Sequence, residues 1–345
     1  MNKSICFKVN KAYLNNKFFK DDGNLDFYFK VKKHFEISGY TVGTQDIINE
    51  NEASIVVTID YRKDFKKNKS FNILIALESI AVLPQTFSKS YLKNFDLIFT
   101  WNTDIINNIN ILPLNFTFNL DPIEFISFDN KNKFLCNFSA NKLSNHKDEL
   151  YSERVKFIEF FEKNYSDKFD LYGYGWDKAY KYPYVYKIFK FLNKNKILRG
   201  FSKVLINIRF FNKLLFTKYS VYKGPVISKV ENLKNYKFSL CFENIKDSEG
   251  FITEKIFDCF ISGVIPIYLG PKNISKIIPN NTFIDMRNFS SYEELYDHLT
   301  KIGTEQYNIY IDNINEYLKS EQIKFYDSKW ASKYFVKKTL SKYDE

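Results

Sequence analysis

Two short clusters of charge stand out between Ser239 and Gly270, in the stretch SLCFENIKDSEGFITEKIFDCFISGVIPIYLG. Glu243 and Asn244 close one apolar run. Glu254 and Lys255 open the next, and a glycine-containing loop, with Phe251 at its end, separates the two pairs. Thr253 is placed to cap the helix that Glu254 begins. A helix start presents unpaired N–H groups and partial positive charge, which suits a phosphate. Lysine is disfavoured at that end, so Lys255 points to a bound anion that supplies the missing negative charge. Glu254 could accept from sugar hydroxyls. The plain alternative is a capping acid beside a solvated lysine, and helix physics alone leaves the two about even.

A further carboxylate, Glu78, ends the apolar run ILIALES. At a strand end facing a cleft it would be both desolvated and reachable, as a general base must be. A solvated glutamate, or one capping the next loop, is the ordinary alternative. The same rule singles out Ser139, Asn141 and Lys142 in FSANK, and Gly173 to Trp176, because ligands of doubly wound sheets sit beyond the carboxyl ends of the strands.

The elements that must position these residues alternate. Short apolar runs at 53–60, 72–78 and 95–101 suit buried parallel strands. Leu25 to Ile37 reads as a helix ended by Gly39. A Pro-containing polar stretch, NLDPIEFISFDNKN, reads as a linker. A second unit follows, with a strand and then a polar loop in KFLCNFSANK, a strand running into a turn in FDLYGYG, strands in YKFSLCFEN, VIPIYLG and NTFIDM, and helices at 148–164, 253–262, 292–302 and 305–318. The expected fold class is α/β with two doubly wound domains facing a cleft: 1–125, 132–303, and a C-terminal helical tail at 304–345.

The chain has 345 residues, too long for one core, and 19% aromatic residues. Four scattered cysteines without a C-x-x-C, and three histidines, suggest neither a zinc site nor a disulfide framework and fit a reducing cytoplasm. The first residues lack the apolar stretch of a signal peptide. No run of about 18 apolar residues marks a membrane span. The net charge of +11 is concentrated in 178–223, which holds twelve Lys or Arg and no acid.

YKFSLCFEN, GFITEKIFDCF and GVIPIYLG, read together and in order, resemble the donor-binding signature of the α-1,3-fucosyltransferases, glycosyltransferase family 10. DLYGYGWD, YKGPV, NTFIDMRNFSSYEEL and FSANK agree in order, so the resemblance covers most of 133–299. It implies a GT-B enzyme of two Rossmann-like domains, with GDP-fucose bound by the C-terminal one and an acceptor glycan by the N-terminal one. Such enzymes invert the anomeric centre, giving an α-fucoside, usually at O3 of GlcNAc. Carried over, Glu254 and Lys255 match the pair that contacts fucose and diphosphate, and Asn244 a donor-site amide. Lys223 lies where relatives have a basic residue for the diphosphate, and Glu78 falls at the position of the catalytic base. Two departures are visible. The 244–254 loop is about one residue longer, and Phe251 replaces a common tyrosine, which keeps a ring and loses a hydroxyl. Tyr174, Trp176, Ser139 and Lys142 are candidates for the guanine side. No Asp-x-Asp motif occurs in the donor unit, so cations rather than an essential metal are expected to neutralise the leaving group.

The basic stretch 186–216 has roughly helical apolar spacing. One reading lays it on an anionic membrane surface, where a lipid-linked acceptor would be found, making the protein peripheral on the inner leaflet. The other packs it on the donor domain. A separate function class, a basic RNA-binding protein without transferase activity, has charge and aromatics in its favour but no recognisable nucleic-acid module. On balance no nucleic-acid partner is expected.

Overall fold

The computed structural model describes residues 3–21, 25–177, 179–180 and 216–345. The basic segment 186–216 thus lies, but for its last residue, outside the described residues.

The first domain is a six-stranded parallel sheet: β1 (Ser4–Lys8), β2 (Thr41–Thr44), β3 (Ile55–Ile59), β4 (Phe71–Ala76), β5 (Leu97–Thr100) and β6 (Ile111–Pro113), in the order β2-β1-β3-β4-β5-β6. Helix α1 (Asp26–Ile37) connects β1 to β2, and the short α2 (Lys89–Leu92) precedes β5. Five consecutive residues of β4 are buried, Asn72 to Ala76. Helices or loops cover both faces of such a strand, so its sequence cannot alternate.

The second domain repeats the plan. Strands β7 (Lys133–Phe138), β8 (Phe169–Tyr172), β11 (Tyr222–Gly224), β12 (Tyr236–Phe242), β13 (Ile265–Leu269) and β14 (Ile284–Asp285) form a parallel sheet ordered β11-β8-β7-β12-β13-β14. Two two-residue strands, β9 (Ala179–Tyr180) and β10 (Phe216–Thr217), pair antiparallel beside it. Its helices are α3 (Tyr151–Asn164), α4 (Lys229–Leu233), α5 (Glu254–Ile261), α6 (Tyr292–Lys301) and α7 (Thr304–Lys319). In this sheet the chain steps outward one way from β7 and the other way from β12, so the crevice opens between their carboxyl ends. In the first sheet the corresponding switch lies between β1 and β3. These are the two Rossmann-like domains of the GT-B architecture.

The end of the chain departs from the expected appended tail. Helix α8 (Ser328–Asp344) returns to the first domain, where Ala331, Phe335 and Val336 enter the core. The Phe335 ring lies 4.6 Å from Phe99 and 6.0 Å from Phe27, centroid to centroid. Helix α7 stays with the second domain through Tyr307 and Ile314. The strands unread in the sequence, β2, β6 and β11, have three or four residues each and lie at or beside sheet edges. All four cysteines are free and buried.

Candidate active site

The loop between β12 and α5 joins the two domains. Phe251 has no exposed surface and belongs to the core of the first domain, its ring edge-on to Trp101 at 5.0 Å and to Phe116 at 5.7 Å. Gly250 has φ of +86°, and a Cβ there would stand 2.6 Å from the Trp101 carbonyl. Only glycine lets the loop pass this close. Phe251 is therefore an anchor between domains, and it is also among the residues that line the cleft between them.

Once anchored, the loop delivers Thr253 to Glu243. Glu243 is fully buried, and its Oε1 accepts from the Thr253 N–H at 2.8 Å. Its Oε2 accepts from the Thr253 hydroxyl at 2.7 Å and from Lys255 Nζ at 3.2 Å. Lys255 also donates to the Thr253 hydroxyl at 2.7 Å. The Thr253 hydroxyl, committed to Glu243, does not cap α5 as the sequence suggested. No N-cap side chain holds the start of α5, although the Glu254 carboxylate meets its own N–H; a helix end without an N-cap acceptor can take up an anion. Glu243 works behind the site, satisfying a buried negative charge with three donors.

Thr253, Glu254 and Lys255 line a cleft of about 950 Å³, together with Asn244 and, from the first domain, Glu78, Phe116 and Phe118. Ser139 and Lys142 line it beyond β7, and Tyr174, 71% exposed, beyond β8. Not every expected residue reaches it. Asn141 turns aside to donate to the Gly175 carbonyl at 3.1 Å. Trp176 is buried and donates to the Ser139 carbonyl at 2.6 Å. Lys223 sits on edge strand β11, 3.4 Å from Asp170, and is not among the lining residues.

Two further cations were not singled out in the sequence reading. Arg154, from α3, is buried and donates to the carbonyls of Phe242 and Glu243 at 2.7 and 3.3 Å. Lys229, from α4, lies 2.7 Å from Asp258 of α5. Both line the cleft. Burial disfavours the Lys229 ammonium, but Asp258 and Glu254 outweigh it and raise its pKa. Burial likewise works to raise the Glu254 carboxyl, yet Lys255 and Lys229 hold it at about 2. The C-terminal wall therefore carries fixed charges. Two of its polar atoms, the Tyr151 hydroxyl and Ser139 Oγ, are buried without a hydrogen-bond partner among the described residues. Such atoms are costly unless something in the cleft satisfies them.

Arg154 had a signal in the sequence. It falls three residues after Tyr151 and three before Phe157, on the apolar stripe of its helix, where an unpaired cation does not belong. Lys229 had none. Among the described residues no group of three or more His, Cys, Asp or Glu is placed to hold a metal ion, and no helix is long and apolar enough to cross a membrane.

Residues 184–337 match the sequence model of glycosyltransferase family 10 (fucosyltransferase), C-terminal region. The chain is 37% identical over 91 residues to alpha-(1,3)-fucosyltransferase FucT of Helicobacter pylori, covering 26% of this chain and 19% of that protein. The match thus spans about a fifth of that relative's length. The fold is similar to that of a crystallised α1,3-fucosyltransferase with GDP-fucose (TM-score 0.50, 14% identity, covering 99% of this chain and 90% of that one). It is also similar to an α-glucosyltransferase in complex with UDP-glucose and DNA (TM-score 0.55, 10% identity, covering 99% of both chains). At those identities the likeness is one of fold. Residues 184–337 of this chain are thus similar to the C-terminal region of glycosyltransferase family 10, the fucosyltransferases.

Proposed function

We propose that this protein transfers L-fucose from GDP-β-L-fucose to a hydroxyl of an acceptor glycan, O3 of a GlcNAc residue, with inversion to an α-fucoside. The observation that carries the reading is the shared cleft: Lys255 and the start of α5 on one wall, Glu78 on the other. The diphosphate would lie at the β7/β12 crevice, against Lys255, Arg154 and Lys229. These cations are in place before the reaction, so little reorganisation accompanies departure of the GDP. The fucose would lie toward Glu254, which also lines the adjoining pocket of about 250 Å³ with Glu78. The acceptor oxygen attacks the anomeric carbon, the bond to the β-phosphate breaks, and the hydroxyl proton passes to Glu78. Protein cations do the work that a metal does elsewhere.

The test is incubation with GDP-fucose and a panel of lactosamine acceptors, with and without chelator, followed by determination of the product linkage. An O3-linked α-fucoside, formed equally with chelator, is expected. Transfer only from another nucleotide sugar would overturn the donor assignment, and loss of activity on chelation would overturn the metal-free one. A lipid-linked acceptor at an anionic membrane surface is supported by the acid-free basic run at 186–216. Failure to sediment with anionic liposomes at low salt would end that part.

A further inference from the structure

The acceptor wall carries a second carboxylate that no step of the proposed reaction uses. Asp60 follows β3 at the switch point of the first sheet, in the left-handed region with φ of 52°. Aspartate tolerates that region better than most residues, though at a cost. Its N–H donates to the Ile75 carbonyl at 2.9 Å, and its carbonyl accepts from the Tyr91 hydroxyl at 3.1 Å. Oδ1 accepts from two consecutive N–H groups, those of Leu77 at 2.8 Å and Glu78 at 2.9 Å. The backbone that presents Glu78 is therefore tied to Asp60, while Glu78 Oε1 accepts from the Ser79 N–H at 2.8 Å.

Oδ2 of Asp60 has no partner among the described residues. Asp60 and Glu78 line the same pocket of about 250 Å³, walled also by Tyr28, Phe116, Phe118 and Glu254. Apolar and aromatic walls with a few convergent polar groups are the usual makeup of a small-ligand site. Here the rings would cover the C–H face of a sugar, and the carboxylates would accept from its hydroxyls.

We propose that Asp60 is the positioning residue of the transfer: Oδ1 sets Glu78 at the reacting hydroxyl, and Oδ2 accepts from a donor on the neighbouring carbon of the same sugar, the acetamido N–H where the reacting hydroxyl is O3 of GlcNAc. The pocket then selects a pyranose with a hydrogen-bond donor on the carbon next to the reacting hydroxyl, one group to be fucosylated and one to be held. This rests on Glu78 as the base. Burial pushes the Asp60 carboxyl up to about 6, helped by the Glu78 charge and opposed by the two N–H bonds. The titratable groups around it are Glu78, Tyr28 of α1, Tyr91 of α2 and, across the pocket, Glu254. Protonation below about pH 6 removes the acceptor oxygen, so kcat/KM for the acceptor falls as pH drops through that value.

The experiment compares the full chain with Asp60→Asn and Asp60→Ala, using GDP-fucose and N-acetyllactosamine. Both variants raise the acceptor KM about tenfold, the loss of one hydrogen bond to a charged group, with GDP affinity unchanged. Only Asp60→Ala also lowers kcat by about tenfold, because the asparagine oxygen still accepts from Leu77 and Glu78. The limb near pH 6 is absent from Asp60→Asn. Acceptor KM within twofold of the parent in both variants, or a pH limb that persists in Asp60→Asn, overturns the assignment. Glu78→Gln is measured alongside. If it keeps full turnover, the base assignment fails by itself, while the acceptor KM of the Asp60 variants still reads the Oδ2 contact.

Discussion

The two domains are close copies in architecture and opposites in chemistry. Each is a six-stranded parallel sheet with one switch point. Around the first sheet's carboxyl ends stand Asp60 and Glu78; around the second stand Arg154, Lys229 and Lys255. In the proposed reaction, similar scaffolds would offer a proton acceptor on one side and an anion cradle on the other. The strand order decides where a site can form, and the few residues beyond the strands decide what it does. A transfer reaction with an anionic leaving group needs both, one on each side of the reacting carbon.

That division can be broken at either wall. Glu78→Gln should cut kcat by about 10²–10⁴-fold while leaving GDP binding intact. Kinetics with GDP-fucose, paired with GDP titration, check it, and a joint loss would mean that the walls are not separable. Phe251→Ala attacks the anchor between them. Removing a fully buried ring from the first domain's core should cost about 3–5 kcal/mol, seen as a lower urea midpoint, although the residue belongs to the donor loop. A midpoint near that of the parent would show that the loop docks without it. Lys255→Ala should lower turnover about 10²-fold or more through lost stabilisation of the leaving group. Near-normal kinetics would refute its contact with the diphosphate. Lys223→Ala should do least. Its pairing with Asp170 is half-exposed, worth about 1 kcal/mol or less, so KM for GDP-fucose should stay within about fivefold. A larger rise would return Lys223 to the donor site.

Long apolar strands and amphipathic helices were legible because burial on two faces, or on one stripe, leaves a period in the sequence. The edge strands β2, β6 and β11 escaped notice, since each is three or four residues long and interrupted or ended by Gly or Pro rather than set in a longer apolar run. Residues of the β12–α5 loop were legible as a group but not in their parts. Glu243 and Glu254 are the same residue type eleven positions apart; one is sealed behind the cleft and the other lines it. Phe251 read as a ring for a ligand; it lines the cleft and also packs into the other domain's core, which the sequence did not show. Asp60 met the same strand-end criterion as Glu78, and its two N–H acceptances make it distinctive only once β3 and β4 lie side by side.

By itself, the sequence determined the α/β class, the two-domain plan and the motif around Glu254 and Lys255, because those depend on local pattern and on residues close along the chain. Tertiary structure decided which cations serve the cleft, where the last helix returns, and which carboxylate steadies Glu78. Arg154 lies 101 positions from Lys255 and Asp60 lies 194 from Glu254, yet each pair lines one cavity. Contacts between such distant residues arise from how sheets and helices pack, and no local periodicity encodes them.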